Sequence, residues 1–164
     1  MCIKAPTSRR ATSSTTSTST PADVLEVRRA RGADELAAAL ELRERVFCEE
    51  QGVSLEADRD GRDPESVHIV ALSEGRVIGT CRLLFDERVA RLGRLVVESD
   101  LRGRGIAGAI LREADRVALE CGADRIALHA QTYALALYRD HGYAERGARF
   151  REEGIEHVAM EKVL

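Results

Sequence analysis

The sequence predicts a single α/β domain built on a mixed sheet. Three observations carry that prediction. From Val24 onward the hydrophobic period alternates between strand-like and helix-like in the order β-α-β-β-β-α-β-α-β-β. One strand-like run, residues 92–97, empties through Arg102-Gly-Arg-Gly-Ile-Ala-Gly108 into a strongly periodic segment over residues 106–121. Finally, 164 residues, 44% of them hydrophobic, are enough for one core and contain neither a repeat nor a second domain.

Taken in order, Leu25 and Val27 alternate with Glu26 and Arg28 as a first strand. Asp34 is placed to cap a helix whose apolar side is Leu36, Leu40, Val46 and Phe47, opposite Glu41, Arg45 and Glu49. Residues 51–65 are acidic, glycine-bearing and aperiodic, which predicts a long loop. Strands over 67–72 and 77–85 are joined at Ser73-Glu-Gly-Arg76, and 89–97 forms another. The next helix should bury Ile106, Ile110, Ala114, Val117 and Ala118 and stop at Gly122. Cys121 falls on its apolar stripe and is expected in the core. A strand over 125–130, a helix over 133–141 before Gly142, and two strands around Glu152-Glu-Gly154 close the domain.

Composition excludes several classes. A net charge of −3 argues against a general nucleic-acid binder. No apolar run reaches the ~18 residues of a membrane span. Cys2, Cys48, Cys81 and Cys121 are scattered without metal-ligand spacing, so no metal is expected and free thiols in a reducing cytoplasm are. Residues 1–22 differ from the rest: eleven of the fourteen residues 7–20 are Ser or Thr. Such a stretch cannot offset its ordering entropy and is expected to be a disordered tail preceding a domain over 23–164.

The glycine-rich turn is the most informative stretch. The first N–H groups of a helix lack internal partners and the dipole is positive there. Glycines let a phosphate sit against the backbone. Arg102 and Arg104 suit neither that end of a helix nor its dipole unless a polyanion joins them. A P-loop would need Lys-Ser/Thr after the last glycine, where Ala109-Ile110 stand. Gly103, Gly105 and Gly108 spell G-x-G-x-x-G, but several strands precede it and the next strand ends in Gln131 rather than an acid, against a dinucleotide site.

The remaining reading is Arg102-x-x-Gly105-x-Ala107, which resembles the R/Q-x-x-G-x-G/A pyrophosphate loop of the GNAT N-acetyltransferase superfamily. A second segment, Gln131-x-x-Ala134-x-x-x-Tyr138-x-x-x-Gly142-Tyr143, resembles that superfamily's N-x-x-A-x-x-x-Y-x-x-x-G-F/Y, with Gln131 in place of Asn. Phe47-x-Glu-Glu-Gln51-Gly-Val, Glu56, Asp60 and Asp63, with His68, Arg82 and Gly154-Ile155-x-His157-x-x-Met160, resemble its small bacterial ElaA/YjcF-like subfamily. The resemblance spans residues 24–164. It implies the GNAT fold, a mixed, mostly antiparallel sheet of six to seven strands with helices on both faces.

It also implies a function. Acetyl-CoA is the expected cosubstrate, with transfer to a primary amine of a small molecule or peptide by direct attack through a tetrahedral intermediate. By resemblance, Leu95, Val96 and Val97 hold the pantetheine, and Arg102, Gly103, Arg104, Gly105, Ile106, Ala107 and Gly108 hold the pyrophosphate. Gln131, Ala134 and Tyr138 complete the cofactor set. Tyr138 is the expected acid for the departing thiolate. Glu50, His68 and His157 are candidate bases for the amine, and a water chain could replace them. The acidic loop hints at a cationic acceptor. Two other classes stay open at this stage: an acyl-CoA-sensing module without turnover, and a nucleotide-dependent oxidoreductase. A homodimer is compatible with the sequence.

Overall fold

The computed structural model describes residues 24–164; the expected tail over residues 1–22 lies outside the described residues. In chain order the elements are β1 (Glu26–Arg29), α1 (Gly32–Arg43), α2 (Leu55–Asp58), β2 (Val67–Ser73), β3 (Arg76–Asp86), β4 (Val89–Val97), α3 (Ile106–Glu120), β5 (Arg125–Gln131), α4 (Leu135–Asp140), β6 (Ala144–Glu152) and β7 (Ile155–Val163). The seven strands form one sheet in the order β1-β2-β3-β4-β5-β7-β6. Only β4 and β5 run parallel, as a strand-helix-strand crossover through α3 requires.

Local chemistry explains the connections. Glu74 and Gly75 both take positive φ, 50° and 74°, the two-residue turn whose twist matches a β2–β3 hairpin. Helix α1 begins two residues before Asp34, which is not its cap. Instead the Glu35 carboxylate accepts the Arg31 backbone N–H at 2.6 Å, so an acid one turn inside satisfies the start. The helix then widens into a π-helical turn over Glu44–Glu50. The buried face differs from the expected one: Ala39, Leu42 and Val46 are buried, whereas Leu36, Leu40 and Phe47 are only half-buried. The expected loop over residues 51–65 contains α2 and a 3-10 turn at Asp63–Glu65.

Strand alternation divides the core between two faces. Val70, Leu72, Val77 and Val96 pack with α1 residues Ala39 and Leu42. Ile69, Ala71, Ile78 and Val97 face the other way, onto α3 through Ile106, Ile110, Ala114, Val117 and Ala118. All five α3 positions predicted to be buried are buried. Cys121 is not in the core: α3 ends at Glu120, and the turn toward Gly122 (φ 86°) swings Cys121 outward, where it is exposed beside Arg29.

Helix α1 covers only β2 to β4. On that side of the sheet, β5 and β7 present Ala127, His129, Gln131, His157, Ala159 and Glu161, with no helix of the described residues packed over them. The alternate residues Ile126, Leu128, Ala130, Val158 and Met160 are buried on the α3 side. One half of one sheet face is therefore open, and the site lies there.

Candidate active site

The central geometric event is a parting of two parallel strands. Residues Val89, Ala90 and Arg91 pair with Arg125, Ile126 and Ala127, and there the ladder stops. Beyond it, β4 runs to Val97 and β5 to Gln131 without pairing to each other. A bulge enforces the divergence: between Thr80↔Val96 and Arg82↔Gly93 β4 holds one residue more than β3. Arg94 sits in that bulge with φ 56°, a left-handed conformation unusual for an arginine. Its side chain anchors the bend by donating to the Ala57 carbonyl at 2.8 Å.

The gap is a cleft of about 800 Å³ that passes through the sheet. Leu95, Val96, Val97, Arg102, Ala107, Gln131, Ala134 and Tyr138 all line it, from β4, the glycine turn, β5 and α4. Gly103 and Gly105 take φ of 75° and 80°, and Gly105 is the N-cap of α3. No side chain caps that helix start and its first turn holds no acid, so its N–H groups remain available to an anion. Ile106 points into the core, leaving only its backbone for a ligand. Gly108 packs closely on α4's end, since a Cβ there would stand 2.8 Å from His141 Nε2 and that ring would have to shift. Arg104 is exposed and has no ion-pair partner among the described residues. Arg102 donates to the Val97 carbonyl at 3.0 Å and pairs with Glu50 at 2.9 Å.

That pairing bears on two expected roles. Glu50 is half-exposed, engaged with Arg102, and not among the residues facing the cleft. His68 is also absent from the cleft: its Nε2 lies 3.0 Å from the Asp63 carbonyl. Carbonyls only accept, so that nitrogen carries the proton and His68 is a buried structural donor. Neither Glu50 nor His68 lines the cleft in this arrangement. His157, the third candidate, does line the cleft, 7% exposed, with Nδ1 2.7 Å from the Ile155 carbonyl.

Tyr138 is 8% exposed, faces the cleft from α4, and packs edge-on against Tyr143 with ring centroids 5.8 Å apart. Its hydroxyl bonds no other described residue. Burial pushes the phenol well above its ordinary pKa. Gln131 reaches across the cleft and exchanges amide hydrogen bonds with Gln51, donating at 2.9 Å and accepting at 3.4 Å. The Tyr133 hydroxyl accepts from the same Gln51 amide at 3.2 Å.

The acidic loop has a different role from the one its composition hinted at. Arg43, 1% exposed, donates to Asp58 Oδ1 at 3.1 Å and Asp63 Oδ1 at 2.7 Å. Arg82 pairs with Asp60 and with Asp63, and Arg94 with Asp58 and Asp60. Burial alone would raise the Asp63 carboxyl, but the guanidinium of Arg43, with that of Arg82, outweighs it and holds Asp63 low. Arg82 likewise holds Asp60 far below the usual carboxylate range. Three arginines thus neutralise three aspartates, and the loop is a strapped wall of the cleft rather than a lure for cations. Sequence reasoning missed Arg43 and Arg94 as its partners, because nothing local marks a charge that will be buried.

It also missed a cluster on the open half of the sheet. Phe150 stacks on His157 (5.9 Å, 19°) and meets His129 edge-on at 4.9 Å. Glu152 lies between the two imidazoles, 3.4 Å from His129 Nδ1 and 3.9 Å from His157 Nε2. His129 and Gln131 at alternate positions of β5 were the available signal. Among the described residues no group of His, Cys, Asp and Glu is arranged to hold a metal ion.

A parted parallel strand pair, an uncapped helix start behind a glycine turn and a cleft through the sheet define an acyltransferase architecture. The chain belongs to the GNAT acetyltransferase family, whose domain profile, "Acetyltransferase (GNAT) domain", matches residues 31–164. It is 33% identical over 134 residues to the uncharacterized N-acetyltransferase YjcF of Bacillus subtilis, covering 81% of this chain and 96% of that protein. Its fold superposes on a candidate N-acetyltransferase from Lactobacillus plantarum with a TM-score of 0.80 at 28% identity, over 87% of this chain and 99% of that one. Escherichia coli ElaA shares the fold with a TM-score of 0.75 at 22% identity, over 86% and 99% of the two chains.

Proposed function

We propose that the protein transfers an acetyl group from acetyl-CoA to a primary amine of a small molecule or peptide by direct attack. The observation that supports this best is the cleft itself. It joins the uncapped N-terminus of α3, suited to a pyrophosphate, to the unpaired inner edge of β4, suited to an extended pantetheine. Arg102 and Arg104 would add charge to the phosphate end, and Arg102 can leave Glu50 at little cost, since an exposed pair of this kind contributes about 0–1 kcal/mol. Unpaired β4 backbone N–H groups would stabilise the oxyanion that develops as the amine attacks. Tyr138 would protonate the departing sulfur. Its phenol begins above a thiol in pKa even in water, about 10 against about 8.5, and burial widens the gap. The proton must therefore move as thiolate charge develops, not before.

The alternative of an acyl-CoA sensor without turnover shares the phosphate end but has no use for Tyr138 at the parting strands. Two measurements test the proposal. Acetyl-CoA should raise the unfolding temperature where NAD does not, and CoA should be released when amines are supplied. Protection by NAD alone would return the glycine turn to the dinucleotide reading. Protection by acetyl-CoA without CoA release across polyamines, amino acids, aminoglycosides and peptides would support the sensor.

A further inference from the structure

Resting on that acyl-transfer reading, we infer that Glu152 and His157 receive the acceptor, and that the acceptor is a cationic amine bearing no carboxylate, a diamine or polyamine in class. His157 supplies the first argument. The Ile155 carbonyl can only accept, so Nδ1 carries the proton and Nε2 is left with a lone pair. No described residue donates to Nε2; Glu152 Oε2 stands 3.9 Å from it, beyond hydrogen-bond reach. A histidine only 7% exposed, lining a cleft with a bare acceptor nitrogen, lacks a donor that a ligand N–H would provide.

Glu152 supplies the second. Three other carboxylates of the cleft wall are matched to guanidiniums: Asp58 and Asp60 to Arg43, Arg82 and Arg94, and Glu161 to Arg146 and Arg125. Glu152 instead faces two imidazoles, and no arginine or lysine among the described residues pairs with it. Along the open arm Glu152, Glu153 and Glu161 line the cleft, and of these only Glu161 has guanidinium partners, Arg146 and Arg125, among the described residues. The opposite wall, with its three arginines and three aspartates, is neutral. Phe150 clamps both imidazole rings, so the carboxylate and the lone pair are held together before a substrate arrives.

The chemistry balances. The bound ammonium gives one proton to His157 Nε2, and Glu152 holds the resulting imidazolium. The freed nitrogen lone pair forms the C–N bond at the thioester carbonyl. As the C–S bond breaks, the sulfur takes the Tyr138 proton, and a second N–H proton of the adduct restores the phenol. Amide, thiol and one proton, released from His157 to solvent, are the products.

The test compares two acceptors that differ only at the far end, 1,4-diaminobutane and 4-aminobutanoate, by CoA release. The intact protein should favour the diamine at least tenfold in kcat/KM. Glu152→Gln should raise KM for the diamine about tenfold, narrow the preference, and leave KM for acetyl-CoA unchanged. His157→Ala should lose turnover and regain part of it with added imidazole, which a merely structural histidine would not do. Equal use of the two amines, or preference for 4-aminobutanoate, overturns the inference while leaving acyl transfer intact. An unchanged preference in Glu152→Gln does the same. Release of CoA to neither amine overturns the inference, and if the wider amine panel is also silent the acyl-transfer reading falls with it.

Discussion

Replacing Tyr138 by Phe removes one oxygen and keeps the ring. The structure says what that oxygen is worth to folding: it bonds no other described residue, and the ring stays packed edge-on to Tyr143. A hydroxyl held in a mostly buried site without a partner contributes nothing favourable, so stability should stay within about 1 kcal/mol of the parent. The ring's burial, on the order of 1.5–3 kcal/mol, is retained. If Tyr138 is instead the acid for the departing thiolate, turnover should fall ~10²–10⁴-fold. That corresponds to about 3–5 kcal/mol of transition-state stabilisation, several times any packing effect. The bond strengthens only as negative charge develops on sulfur, so kcat should fall while both Michaelis constants hold. Steady-state CoA release across neutral pH, beside a thermal melt of each variant, separates the two accounts. A Tyr138→Phe protein that melts normally and keeps most of its kcat would falsify the acid role and leave the residue a packing element.

Three further outcomes follow from the same geometry. Converting Arg102 and Arg104 to Ala should raise the KM for acetyl-CoA well above any change in acceptor KM, more so at low salt, since each lost charge-assisted bond costs ~1.5–3 kcal/mol; the parent's preference for CoA over pantetheine should narrow in the double variant, where only the α3 backbone N–H groups remain, and an unchanged preference would move the phosphates away from the arginines. Arg43→Leu should destabilise the domain by about 3–5 kcal/mol, seen as a melting temperature lower by something on the order of 10 °C, because Asp58 and Asp63 would keep their burial and lose a shared counter-charge; a melt within a degree or two of the parent would show that the loop is not strapped through Arg43. Asp60 and Asp63 have folded pKa values below their unfolded ones, so their contribution is complete above about pH 4 and drains away as pH falls below it; in Asp60→Asn the acid limb of a stability profile should be shallower, and an unchanged limb would contradict the assignment.

What could be read in the chain was whatever neighbours in sequence decide. The α3 stripe is local: residues three and four apart share a face whatever surrounds them, so Ile106, Ile110, Ala114, Val117 and Ala118 were legible. The glycine turn was legible for the same reason, because positive φ at Gly103 and Gly105 is a property of those residues. The π-helical turn over Glu44–Glu50 was not, since it preserves composition, nor was the face of α1 that meets the sheet, where Ala39 and Leu42 are buried and Leu36 and Leu40 only half-buried.

The sequence by itself determined the order of elements, the phosphate-suited turn and Tyr138 four residues on from Ala134, each a matter of short-range spacing. Only the tertiary structure decided which titratable groups meet. Glu50 went to Arg102, 52 residues away along the chain, and His68 to a backbone carbonyl, which removed both from the cleft. Three aspartates of the acidic loop, Asp58, Asp60 and Asp63, were matched by Arg43, Arg82 and Arg94, so their charge is cancelled inside the wall. Glu152, His129 and His157 came together because β5, β6 and β7 lie side by side in the sheet order β5-β7-β6. Pairing of that kind is set by burial and register across the whole sheet, and burial is what decides whether a charge is solvated, cancelled or left free to act.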